Sequence, residues 1–223
     1  MIKHRLLSVL LALCAAASAA ASQTPAAPAS QQTQERKTST PYTGDLSIFD
    51  SPGRDERLQI NRVMDILGIS PGKTVADIGA GSGWFTVRAA KRVTDSGSVY
   101  AVDINPKAMQ YIEDRANKEH LQNVHATLST PDDPLLPADK IDAVLMLKTY
   151  HEIANPVTLL RNLKPALHPG AKLGIIDRNG DGTNHGVSKD VVIREAGQAG
   201  YKLAAQYDFV QDGMDYFLVF TAN

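Results

Sequence analysis

Cysteine is nearly absent from this chain of 223 residues, and the one present, Cys14, lies in an apolar stretch close to the amino terminus. No disulfide framework can be built from it. An excess of charge is missing too: 23 basic residues face 24 acidic ones, which argues against nucleic acid as the main partner. The apolar run from Leu6 to Leu13 falls short of the ~20 residues that a membrane-spanning helix needs. No internal repeat is present.

What that run does resemble is the centre of a secretory signal. Lys3 and Arg5 precede it and small residues follow, so residues 1–21 read as a cleavable leader. Ala17-Ser18-Ala19 and Ala19-Ala20-Ala21 both fit a cleavage site, placing the mature start near Ala20 or Ser22. Lipid attachment at Cys14 fits poorly, because Leu13 stands where a small residue is wanted. The expectation is a periplasmic or secreted protein with no stable membrane association once the leader is cut, an uncleaved anchor being the alternative. Residues 22–50 are rich in Ala, Pro, Ser, Thr and Gln and read as a disordered linker. Residues 51–223 are long enough for one domain.

In that domain short apolar runs alternate with helical patterns. A helix starting at Ser51-Pro52 would carry Leu58, Ile60, Val63, Met64, Ile66 and Leu67 and stop at Gly68. The strands read as TVADI, SVYAVD, VHATL, IDAVLML and AKLGIID, with helices from Trp84, from Pro106, from Pro156 and near Asp190. Such alternation implies a parallel sheet covered on both faces, joined by right-handed crossovers. The end breaks the rule: YKLAAQYDFV and MDYFLVF are separated only by Gln211-Asp212-Gly213, which signals an antiparallel hairpin.

The stretch VADIGAGSGWF, beginning at Val75, runs from a strand through Gly79, Gly81 and Gly83 into a helix. Glycines there let backbone N–H groups approach a ligand at a helix N-terminus. The spacing is G-x-G-x-G, not the G-x-G-x-x-G of dinucleotide sites, and no Gly-Lys-Ser/Thr of a P-loop follows. The next strand ends in Asp103, whose carboxylate suits a ribose diol.

With these residues the chain resembles the class I S-adenosylmethionine-dependent methyltransferases. VADIGAGSGWFT is similar to that family's first motif, VYAVDINPKAM to its ribose-binding motif, and LKPALHPGAKLGIID to its last parallel strand with the turn before it. The resemblance implies an α/β fold: a Rossmann-like seven-stranded sheet, parallel but for an antiparallel C-terminal hairpin, with helices on both faces. It also implies S-adenosyl-L-methionine as cofactor. By position Asp77 would orient the loop or meet the methionine amino group. Gly79, Ala80, Gly81 and Gly83 would line the methionine portion, Asp103 would hold the ribose and Ile104 would pack on the adenine. The acid that the family places near the adenine amine has no clear counterpart in LSTPDDPLLP, where Asp132 is the candidate and Asp133 fits equally well.

Ligands of open α/β sheets bind outside the carboxyl ends of the strands. The fourth strand delivers Tyr150, His151 and Glu152 there; the fifth delivers Asp177 to Asp181, with His185 shortly after. Methyl transfer to a hydroxyl or thiol needs an aligned acceptor and a base, and His151 suits that task because imidazole titrates near neutrality. The other reading of His151 is a loop hydrogen bond. Glu152 would orient it or bind substrate, Tyr150 would shape the pocket, and His185 is a further candidate. DRNGDGTNHGVS opens like a calcium loop, but Ser188 replaces the closing Glu and no helix precedes it. It reads as a glycine-rich active-site loop, and no residue is assigned as a metal ligand. The segment Arg54 to Leu67 would suit a lid over the cofactor. The sequence therefore points to a methyltransferase acting on a small-molecule acceptor, with a non-catalytic exported binding protein for a nucleoside-like ligand as the alternative.

Overall fold

The computed structural model describes residues 36–222, so the expected leader and the first part of the linker lie outside the described residues. Its centre is a seven-stranded sheet in the order β3-β2-β1-β4-β5-β7-β6. The strands are β1 (Thr74–Ile78), β2 (Ser98–Asp103), β3 (Val124–Leu128), β4 (Ile141–Leu147), β5 (Leu167–Asp177), β6 (Tyr201–Tyr207) and β7 (Tyr216–Ala222). β1 to β5 are parallel; β7 runs antiparallel to both β5 and β6. Helices α1 (Arg54–Leu58), α2 (Ile60–Leu67), α3 (Trp84–Val93), α4 (Pro106–Lys118), α5 (Pro156–Leu163) and α6 (Lys189–Gln198) surround it.

Alternation along the strands divides the core into two layers. Ala143, Leu145 and Leu147 of β4 meet Val63, Met64, Leu67, Trp84 and Phe85 of α2 and α3. Val144 and Met146, one residue out of step, face Leu159, Leu160 and Leu163 of α5 and Val192 and Ala196 of α6. Both faces of β4 are buried, as its unbroken apolar run requires. Among the described residues no helix is long and apolar enough to cross a membrane.

Three local readings change. The helix expected from residue 51 to Gly68 is two helices, broken at Gln59, which takes a left-handed φ of 48°. Leu58 and Ile60 explain the break: both are buried, yet residues two apart on a continuous helix face nearly opposite ways. The hairpin strands are shorter at their inner ends, because residues of their connection turn to α1 instead. There Asp212 accepts from Arg54 Nε at 3.0 Å and Arg57 Nε at 2.7 Å. Finally, residues 36–50, counted with the disordered linker, are packed against the domain. Ser39 and Leu46 are buried, and Leu46–Asp50 forms a 3₁₀ turn.

Candidate functional site

The carboxyl ends of β1, β2, β4 and β5 open onto one cavity of about 880 Å³, toward the upper end of the roughly 300–1,000 Å³ usual for small-molecule sites. The glycine loop forms one wall. Gly79 has a φ of 76° and carries its carbonyl against Thr149 Oγ1 at 3.3 Å, so any side chain at 79 would collide with Thr149. Gly83, at a φ of 70°, turns the chain into α3; it does not line the cavity, so its part is the turn alone. The carboxylate of Asp103 accepts from Gly81 N at 2.8 Å and from Asn105 N at 2.9 Å. Two of its roughly four lone-pair sites are thereby used, and the rest remain for a ligand in the cavity that Asp103 lines. Ile104 beside it is exposed, offering an apolar face.

Asp77 lies beneath the loop, buried, and accepts from Thr86 Oγ1 at 2.7 Å. Burial pushes its carboxyl up to about 7; Asp103 adds to the rise, while the Thr86 hydroxyl and Arg54 oppose it. An ammonium arriving at such a site would favour the ionised form.

The 3₁₀ turn Tyr150–Glu152 after β4 brings His151 against Asp177, the last residue of β5. His151 Nδ1 lies 2.9 and 3.0 Å from the two oxygens of Asp177. That carboxylate also accepts from the backbone N–H of His151 and of Arg178. With the Asp177 carboxylate as acceptor the Nδ1 position carries a proton, so in the neutral ring the lone pair lies on Nε2. Glu152 Oε1 is 3.8 Å from Nε2, and the His185 ring stands edge-on to that of His151 with centroids 5.7 Å apart. Burial drives the Glu152 carboxyl up to about 7, with Asp103 and Asp177 adding to the rise and His151 opposing it. His185 adopts a φ of 57°, and its backbone N–H is held by Ser39 Oγ at 2.8 Å.

The structure thus gathers Asp77, Gly79, Ala80, Gly81, Asp103, Ile104, His151, Glu152 and His185 around one space. It does not bring Tyr150 or Asp132 there. Tyr150 is fully buried on the far side of its turn, its hydroxyl donating to Glu195 Oε2 at 3.0 Å; consecutive residues of the turn diverge, so the pocket gains His151 and loses Tyr150. Asp132 faces α5, accepting from Asn155 Nδ2 at 3.0 Å.

The cover over the cavity is also not the expected one. Thr38 to Thr43, Leu46, Ile48 and Phe49 close it from above, whereas of the segment 54–67 only Arg54 reaches it. Two anchors hold this strap. Arg36 pairs with Glu195 at 2.8 Å and lies over the Tyr150 ring, 5.0 Å from its centroid. Asp50 pairs with Arg115 at 2.8 Å and accepts from Ser82 Oγ at 3.0 Å.

A family model described as a methyltransferase domain matches residues 69–202, which is more than half of the chain. The chain belongs to the class I S-adenosylmethionine-dependent methyltransferases. A solved S-adenosylmethionine-dependent methyltransferase from Aquifex aeolicus superposes with a TM-score of 0.72 at 27% identity, covering 80% of this chain and 98% of that one. Among curated relatives, a ubiquinone/menaquinone biosynthesis C-methyltransferase of Hydrogenovibrio crunogenus is 29% identical over 122 residues, 54% of this chain and 48% of that protein. A protein-L-isoaspartate O-methyltransferase of Pyrococcus horikoshii is 28% identical over 103 residues, 46% of this chain and 45% of that protein. The chain thus spans about half the length of these curated relatives. The [4+2]-cyclase SpnF shares the fold, with a TM-score of 0.65 at 14% identity over 83% of this chain and 86% of that one.

Proposed function

We propose that this protein transfers a methyl group from S-adenosylmethionine to a small-molecule acceptor held in the same cavity. The donor set fits the cofactor: a strand-end carboxylate with lone pairs to spare at Asp103, a buried carboxyl at Asp77, an apolar face at Ile104 and a close-turning backbone at Gly79 and Gly81. The cofactor supplies a methyl group already activated on a sulfonium. What is left to the chain is to align the acceptor and, for a hydroxyl or thiol, to take its proton.

The observation that carries this reading is the pairing of His151, which lines the cavity together with Asp103 and Ile104, with the buried Asp177. Asp177 orients the ring, and Nε2 of His151 accepts the proton. The strap excludes water from the reaction space. The relatives' names cover a quinone carbon and a protein carboxyl as acceptors, so they give no acceptor here. The amino-terminal reading belongs to the same proposal: the chain is exported and cut near Ala20 or Ser22, which amino-terminal sequencing of the cell-envelope protein checks.

Calorimetry on the full chain with S-adenosylmethionine and S-adenosylhomocysteine tests the cofactor. Asp103→Ala should weaken binding by about 1–3 kcal/mol, the cost of leaving hydrogen-bond partners unmet. An unchanged affinity removes the ribose assignment. His151→Ala should keep cofactor affinity and lose turnover; cofactor binding with no turnover of any acceptor by the unaltered chain favours the non-catalytic alternative.

A further inference from the structure

Three donors of mixed type converge where the acceptor would sit. One ring nitrogen each of His151 and His185 and a Glu152 oxygen all lie within 4.8 Å of one another, and Nε2 of His151 is 3.8 Å from Glu152 Oε1. Glu152 Oε1 does not satisfy Nε2 of His151, since that separation is too long for a hydrogen bond. We propose that His151, Glu152 and His185 bind one divalent transition ion of the zinc class.

Four features of the site support this. First, a tetrahedral ion with ligands at about 2.0–2.1 Å holds them about 3.4 Å apart, so the donors need to close by little more than an ångström. Glu152 and His185 can make that movement: the Glu152 side chain is 20% exposed and His185 is exposed. Second, His151 is already set as a ligand. Its Nδ1 faces both oxygens of the fully buried Asp177, the outer carboxylate partner that fixes ring and tautomer in histidine-ligated metals. Third, two imidazoles and one carboxylate suit zinc, iron, nickel or copper, whereas calcium and magnesium prefer oxygen alone. Fourth, all three residues line the cavity, so a fourth position stays open toward a small molecule, as in catalytic and not structural sites.

The calcium-like loop does not compete for this role. Asn179 Oδ1 accepts from Lys189 N and Asp181 Oδ1 from Thr183 N and Oγ1, so those side chains serve their own loop.

The catalytic consequence, unlike the binding, rests on the methyl-transfer reading. With the ion in place His151 becomes a ligand in place of a base. The acceptor's O–H or S–H proton passes to water as its oxygen or sulfur binds the ion, and the resulting anion is the nucleophile.

The test uses untagged full chain stripped with chelator. Zinc calorimetry and metal analysis after dialysis should show one ion per chain, and cobalt substitution should give the visible absorption of a four-coordinate site with nitrogen ligands. His185→Ala, on an exposed loop, and Glu152→Gln should each weaken zinc by at least the roughly 10–100-fold that losing even an outer partner of a ligand costs, with S-adenosylmethionine affinity unchanged in both. No zinc binding, zinc binding that His185→Ala leaves untouched, or magnesium bound as well as zinc overturns the proposal. Cofactor titration of the same sample separates the two readings: zinc without cofactor binding sinks methyl transfer and spares the metal site, and the converse sinks the metal site alone.

Discussion

Both carboxylate oxygens of Asp177 face Nδ1 of His151, at 2.9 and 3.0 Å, the one residue ending β5 and the other in the turn that follows β4 at the same carboxyl edge of the sheet. Neither residue touches the cofactor end of the cavity through this contact, so its removal should register in turnover and not in cofactor affinity.

Asp177→Asn keeps the volume and loses the charge that orients the imidazole. The expected result is a kcat lower by about 10²-fold or more, with the KM for cofactor little changed. A rise in KM with kcat preserved would make Asp177 a binding residue instead.

Asp77 makes stability depend on pH. Its carboxyl titrates near 3.8 in the unfolded chain and near 7 when folded, raised chiefly by burial and further by Asp103, against Thr86 and Arg54. Between these values the folded protein holds a proton that the unfolded chain has lost, so stability falls as pH rises through that window. Asp77→Asn should therefore raise Tm at pH 8 relative to the unaltered chain and have little effect near pH 4. An equal difference at both pH values, read by thermal melts, would contradict this.

Arg36 and Glu195 form a nearly buried ion pair, with side chains 12% and 10% exposed. Arg36→Ala leaves Glu195, among the described residues, with the Tyr150 hydroxyl as its side-chain hydrogen-bond donor and no paired cation, at a cost of about 1–3 kcal/mol. Adding Glu195→Gln should recover much of that loss. Hydrogen exchange should show residues 38–49 deprotected in both variants while β1 and β4 stay protected; global deprotection would mean that the pair holds the domain and not the strap.

Gln59 joins α1 to α2 in a left-handed conformation that glycine takes without strain. Gln59→Gly should stabilise the fold by about 0.5–1 kcal/mol, the relief at φ > 0 outweighing the loosened unfolded chain. Denaturant melts decide the sign.

Much of this was legible in the sequence. Strand runs such as IDAVLML carry both faces in one stretch, and the order of elements places His151, Glu152 and His185 at the same sheet edge as Gly79 and Asp103. Asp132 was not legible, because its partner Asn155 lies 23 residues on, just before α5, and nothing local announces the pairing. Tyr150 and His151 could not be told apart by position, since one turn sends them to opposite sides. The strap was hidden by its composition: Arg36, Ser39 and Asp50 are fastened by polar contacts at long sequence distance, to Glu195, His185 and Arg115, and no hydrophobic pattern records them.

Ser39 gives the strap a second meaning. The hydroxyl that holds the backbone N–H of His185 belongs to the same chain segment that covers the cavity, so the placement of His185 depends on that segment staying in place. A protease that clipped the chain between Arg36 and Asp50 would leave every strand of the sheet intact and still loosen the hold on His185.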